Sequence, residues 1–182
     1  MTKNVPAHWK KIRSEAGPDF VIMKARHDYL EHPRSHQVMK RVVFESTDWV
    51  NVVALTEDEQ LVLVRQFRFG VEKVTLEVPG GMVDPGEDHF EAARRELLEE
   101  TGFASEDWHY LGYVEPNPAI LDNHCHTWLA RKAFRQQEPN PEAGEDITVE
   151  VLGKDAVKQA YRDGAFRHSL AVIAVLHVLE LW

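Results

Sequence analysis

The stretch from Lys73 to Gly102 restricts this chain more than any other. Lys73 to Val78 is a strand-like run, stopped by Pro79-Gly80-Gly81. A loop with Asp84-Pro85-Gly86 follows, and then a helix with marked ends. Asp88 and Glu91 form an Asp-x-x-Glu capping pattern at its start. Gly102 stands where the left-handed cap belongs at its end. Phe90, Ala93 and Leu97 share one face. A strand, a tight glycine loop and an amphipathic helix must be folded together, with the helix laid on a sheet.

The other face of that helix carries Glu96, Glu99 and Glu100. Residues three and four apart are helix neighbours, with Cβ atoms about 5–6 Å apart. Glu96 therefore sits beside both other acids, and like charges at that spacing destabilise a bare helix by a few tenths of a kcal/mol. A divalent cation reverses the penalty. Mg²⁺ takes carboxylate oxygens at about 2.0–2.1 Å and keeps water and phosphate oxygens as its remaining ligands. The Pro79-Gly80-Gly81 loop can bring backbone carbonyls close without side-chain clash. The plainer alternative is a solvated helix face on which Arg94 and Arg95 neutralise the acids.

The spacing of the whole segment weighs against the plainer reading. Gly81, Glu87, Arg95, Glu96, Leu97, Glu99, Glu100, Gly102 and Phe103 match the Nudix box, G-x5-E-x7-R-E-U-x-E-E-x-G-U with U apolar, at every fixed position. The segment resembles the Nudix hydrolases. That resemblance implies an α+β fold, an α/β/α sandwich around a mixed β-sheet, and hydrolysis of a pyrophosphate linked to a nucleoside. It further implies Glu96 and Glu100 as the main metal ligands, the Gly80 carbonyl as another, and Glu99 as support for metal or water. Glu87 and Arg95 would tie loop to helix by a salt bridge.

The flanks resemble one subgroup, the ADP-ribose and nucleoside-diphosphate-sugar pyrophosphatases. They are Arg65-Gln66-Phe67-Arg68, Leu76-Glu77-Val78-Pro79-Gly80-Gly81, Pro118, and Gly144-Glu145-Asp146-Ile147. Arg65 and Arg68 can bind phosphate oxygens, since guanidinium forks match them, with a surface ion pair as the equal alternative for either; by the resemblance Glu77 and Pro118 join them as substrate-binding. Glu145 supplies a further acid, as metal ligand or general base, with Glu142 as the alternative. Glu99 and Glu145 are then the candidates to take a proton from water. The implied reaction is Mg²⁺-dependent, with Mn²⁺ able to substitute. It splits ADP-ribose or a related nucleotide sugar into a nucleoside monophosphate and a sugar phosphate.

The rest of the chain supplies a sheet and a second helical layer. Val50 to Leu55 and Leu61 to Phe67 read as a hairpin around the polar turn Thr56 to Glu59. Tyr110 to Val114, His124 to Ala130 and Ile147 to Leu152 read as strands. Asp155 to Arg162 and Ser169 to Leu181 read as helices, with Ser169 a plausible N-cap. Residues 46–182 form the Nudix domain in this reading. Residues 1–45 form a small β-module, with strand-like pieces at Phe20 to Lys24 and Gln37 to Phe44 around a polar, His-rich stretch from His27 to His36. The module has too few apolar residues for its own core, which points to pairing in a homodimer.

Charge and composition narrow the partners. Thirty acidic residues against 21 basic give a net charge of −9, and no run of Lys and Arg offers a track for nucleic acid. The lone Cys125 rules out an internal disulfide and a Cys-based metal site. His124 and His126 lack zinc-ligand spacing and read as strand residues. Trp49 and Trp108 can stack on a base, but packing is the better reading for both. Met1 to Lys11 shows no apolar signal region, and Leu170 to Leu181 is too short to span a bilayer. A cytoplasmic location follows by default. Two rivals stand beside the hydrolase: a silent nucleotide-sugar sensor, which the intact box argues against, and an RNA 5′-pyrophosphohydrolase, which the acidic charge argues against.

Overall fold

The structure, a computed structural model, describes residues 5–142 and 144–182. Met1 to Asn4, at the head of the N-terminal segment, and Ala143, inside the 138–144 loop, lie outside it. The chain forms two compact units: residues up to 47 together with 115–123, and residues 48–114 together with 124–182.

The first unit is a three-stranded antiparallel sheet of β1 (Lys10–Asp19), β2 (Lys24–Glu31) and β3 (Val38–Glu45), in that order. The 115–123 segment joins it through Phe44 N donating to the Ile120 carbonyl at 2.7 Å. Here the sequence expectations need correction. Of the apolar stretch Phe20 to Lys24, Phe20 to Met23 is the turn between β1 and β2, with Val21 at a φ of 72°, and only Lys24 belongs to a strand. Of the polar stretch from His27 to His36, His27 to Glu31 lies in β2 and the rest forms the turn into β3. Apolar content misled because this sheet buries little of it: Phe20, Val21 and Ile22 are all exposed.

The second unit holds β4 (Trp49–Thr56), β5 (Leu61–Arg68), β6 (Lys73–Glu77), α1 (His89–Thr101), β7 (Phe103–Ala104), β8 (Asp107–Val114), β9 (Cys125–Arg135), β10 (Ile147–Leu152), α2 (Lys154–Arg162) and α3 (Ser169–Leu181). The sheet order is β10-β5-β4-β9-β7, with β6 on β5 and β8 on β9. Strands β4 and β9 run parallel and the other pairs antiparallel, so the sheet is mixed. Strand β4 is buried on both sides. Val50, Val52 and Ala54 meet Ala92, Ala93 and Leu97 of α1. Val53 and Leu55 share the opposite core with Val157 of α2 and Ala174, Val175 and Val178 of α3. The result is a three-layer α/β/α sandwich. Each buried Val or Leu contributes about 1.5–3 kcal/mol relative to exposure.

Two local details set up the site. Strands β4 and β5 pair only near their turn, at Ala54 with Val62 and Leu55 with Leu61. Below that point the Pro79–Gly81 loop takes β5's place, with Val52 N donating to Pro79 O at 2.8 Å and Val50 N to Gly81 O at 2.9 Å. In α3 the N-cap is His168, with Ser169 the first helical residue, and no side chain caps that end. Among the described residues no helix is long and apolar enough to cross a membrane.

Candidate active site

Helix α1 begins as its sequence predicts. The Asp88 side chain accepts from Phe90 N at 2.8 Å, and Gly102 closes the helix at a φ of 72°. Leu97 and the alanines fix which face is buried, and this fixes where the acids point. Glu100 is only 2% exposed, and its Oε2 accepts from Gly80 N at 2.9 Å. The loop can come this close because it carries no side chains. A Cβ on Gly80 would lie 2.1 Å from the Val50 carbonyl oxygen, and one on Gly81 would lie 2.4 Å from Glu96 Oε1. Because Pro79 and Gly81 present their carbonyls to β4, alternation turns the carbonyl of Gly80 away from that strand.

The acids are costly where they stand. Burial pushes Glu100 up to about 8; the charges of Glu96 and Glu145 add to that, while the Gly80 N–H and Arg68 oppose it. Burial likewise pushes Glu96 up to about 7, against the pull of Arg95. Glu145 raises both, so its carboxylate acts on the same spot. Glu145 is half-buried and held by Gln66 Nε2 at 3.3 Å and by the Glu142 N–H at 3.1 Å. Glu142 is exposed and contributes to neither shift. Arg95 gathers the loop onto the helix. It donates to both oxygens of Glu87 at 3.0 Å, to Glu96 at 2.8 Å, to Glu99 at 3.3 Å and to the Met82 carbonyl at 3.0 Å.

Beside the loop lies a cavity of about 260 Å³, lined among others by Trp49, Arg68, Glu77, Gly80, Met82 and His168. Glu77 is 2% exposed at its wall. Burial alone would raise its pKa, but His168 at 3.0 Å, the two-pronged Arg68 at 2.9 and 2.9 Å, and Thr75 together hold it well below the usual carboxylate range. The Arg68 fork thus spends Nε and Nη2 on Glu77 and keeps Nη1 for another acceptor.

The predicted residues do not all gather here. Gly80, Glu96 and Glu100 converge with Glu145, and Arg68 and Glu77 line the adjoining cavity. Arg65 instead pairs with Glu150 across the β5–β10 ladder, on an exposed surface. Pro118 is exposed in the other compact unit. Trp49 lines the cavity instead of packing in the core, whereas Trp108 packs edge-on against Phe90. His124 and His126 both reach Asp48, at 3.5 and 3.2 Å. Among the described residues no three His, Cys, Asp or Glu side chains hold a metal by themselves. His168 and Thr75 were missed in the sequence. Nothing local distinguishes His168 from nine other histidines; its partner Glu77 is distant in the chain.

Comparison with known proteins agrees with this geometry. A model of the NUDIX domain matches residues 46–170, more than half of the chain. The methanol dehydrogenase activator of Bacillus methanolicus is 31% identical over 171 residues, covering 93% of this chain and 91% of that protein. The ADP-ribose pyrophosphatase of Bacillus subtilis is 32% identical over 122 residues, 65% of each chain. A crystal structure of an ADP compounds hydrolase superposes with a TM-score of 0.80, covering 98% of this chain and 95% of that one; at 22% identity this is a likeness of fold. With every fixed position of the box in place and set on the strand, loop and helix it requires, this chain belongs to the Nudix hydrolase family.

Proposed function

We propose that this protein is a divalent-cation-dependent pyrophosphohydrolase acting on ADP-ribose or a related nucleoside diphosphate sugar, releasing a nucleoside monophosphate and a sugar phosphate. The observation that carries the reading is Glu100: a carboxylate 2% exposed, crowded by Glu96 and Glu145, with a single backbone N–H, among the described residues, as its hydrogen-bond donor. A fold keeps such an uncompensated charge where a ligand compensates it.

The donor set fits a hard cation. Glu96 and Glu100, with Glu99 beside them and the Gly80 carbonyl opposite, would hold Mg²⁺ or Mn²⁺, leaving places for water and phosphate oxygens. The ion, when bound, supplies positive charge that offsets the diphosphate and makes water more acidic. Glu145, pinned by Gln66 and near enough to repel both ligands, takes the water's proton, with Glu99 as the second candidate. Arg68 holds a phosphate oxygen through its free edge while Glu77 fixes its plane. Trp49 offers a face to a ring in the cavity. Arg65 and Pro118 have weaker support as substrate contacts, given the Glu150 pair and the exposed turn. A cytoplasmic site of action and a homodimer built through residues 1–45 complete the reading. The dimer is supported by a sheet that leaves Ile12, Val38 and Val42 exposed.

The test compares kcat/KM for ADP-ribose, GDP-mannose, dGTP and triphosphorylated RNA at two salt concentrations, with and without EDTA. Nucleotide sugars should be preferred and EDTA should abolish turnover. Full turnover in EDTA overturns the cation, and a roughly tenfold preference for dGTP or RNA overturns the substrate class. Light scattering that gives the mass of one chain overturns the dimer.

A further inference from the structure

A second cavity, of about 310 Å³, opens on the other side of Arg68 and His168. Its remaining wall comes from Gly70, Val71, Lys73, Thr75 and Arg167. Arg68 and His168 are already matched to Glu77. Lys73 and Arg167 are not matched to anything acidic. Arg167 donates to the Gly164 carbonyl at 3.2 Å, and among the described residues neither cation makes an ion pair. In a chain of net charge −9, two unpaired cations at the rim of one cavity are a local reversal of sign. The position is set by the fold: Lys73 opens β6 opposite Arg68 in the β5 register, and Arg167 directly precedes the His168 cap of α3.

Because Arg68 and His168 belong to both cavities, a ligand whose diphosphate engaged Arg68 would have Lys73 and Arg167 within the adjoining cavity. We infer that this second cavity is a subsite for an additional anionic group, a carboxylate or phosphoryl carried at one end of the nucleotide sugar, beyond the diphosphate. The wall of Val71, Gly70 and the Lys73 stem is mainly apolar, which suits a ring bearing that group. The inference rests on the nucleotide-sugar reading and narrows it to acidic nucleotide sugars.

The test uses pairs that differ by one anion. UDP-glucuronate against UDP-glucose places it on the sugar; ADP-ribose 2′-phosphate against ADP-ribose places it on the nucleoside. One pair should show about a five- to tenfold higher kcat/KM for the acidic member, and the advantage should shrink as salt rises. Lys73→Ala and Arg167→Ala should each erase most of that advantage while leaving the neutral member unchanged. Equal kcat/KM within both pairs, or an advantage that survives both substitutions, overturns the subsite. If no nucleotide sugar is hydrolysed, the proposed function fails separately. Thermal shift then decides the subsite: a larger stabilisation by the acidic member, lost in both variants, supports it, and equal shifts overturn it.

Discussion

Asp28 in the N-terminal sheet and Glu100 in the Nudix unit are both almost fully buried carboxylates, and they respond in opposite directions. Burial works against ionisation in each. At Asp28 it is outweighed by Ser14 at 2.6 Å, by Arg26 at 3.2 Å and by Lys11 at 3.4 Å, so the pKa falls. At Glu100 burial wins, because its contact is one backbone N–H and its neighbours are more acids. The first carboxylate has its compensation built into the sheet and serves structure. The second is left short of positive charge and is legible as a place for a ligand. Glu77 stands between them, compensated like Asp28 but at the wall of a cavity.

The sharpest way to break this contrast is Glu100→Gln. We expect kcat to fall by at least ~100-fold, about 2.7 kcal/mol of transition-state stabilisation. Without cation, the melting temperature should stay equal to wild type or rise. The pH dependence follows from the sign. A folded pKa of about 8, above the ordinary 4.5, means the wild type loses stability as pH rises between those values. The variant's advantage in EDTA is therefore full above pH 8 and gone near 4.5. Near-normal turnover would remove Glu100 from the proposed cation site.

Asp28→Ala should have the reverse character. It removes the partner of Lys11 and of Arg26 Nε, a loss of about 2 kcal/mol; this is below the usual cost of breaking a buried pair because Arg26 keeps Glu45 and Asp122 and Lys11 is half exposed. Denaturant melts should show it, and light scattering should show a shift toward single chains where the proposed dimer forms through this sheet. A melt within error of wild type would mean the aspartate does not hold the sheet.

These contrasts also explain what could be read from the sequence. The α1 ends, the run of acids and the glycine loop were legible, since capping, helical spacing and lack of side chains are local properties. Strands β4 and β5 were legible because a two-sided core needs continuous apolar runs, and β6 was legible chiefly from the Pro79-Gly80-Gly81 stop after it. Strand β1 was not. Lys10–Asp19 is polar with scarcely a buried position, so no alternation marks it, and the adjoining Phe20 to Ile22 drew the strand reading to a turn. The Glu77–Arg68–His168 cluster was half legible. Arg68 and Glu77 flank one hairpin, but His168 arrives from the head of α3, and no local pattern announces a partner that distant.

Glu77 gives an opposite pH effect. Its folded pKa lies far below the ordinary 4.5. Its contribution is complete above that value and drains away as pH falls further. In thermal melts, Glu77→Gln should be less stable than wild type at pH 7, and the gap should narrow below about pH 4.5. A gap constant down to pH 3 would mean the ion cluster adds nothing beyond shape.

The smallest effect separates two arginines three residues apart. Arg68 and Arg65 lie on the same strand, β5. Arg68 lines the cavity with its plane fixed by buried Glu77, while Arg65 reaches Glu150 on an exposed ladder. Exposed ion pairs contribute about 0–1 kcal/mol, because water screens the charges and two long side chains must be ordered to meet. Arg65→Ala should therefore change kcat/KM less than about threefold and lower the melt only slightly. Removing Arg68 strips Glu77 of its two-pronged partner and, in the proposed function, the substrate of a hydrogen-bond donor to its phosphate, so its loss should be at least tenfold larger on the same assay. Raising salt should leave the Arg65→Ala difference smaller still, since its pair is the screened one. If Arg65→Ala costs as much as Arg68→Ala, the Glu150 pair gives way when substrate binds. The site then extends across the sheet to β10.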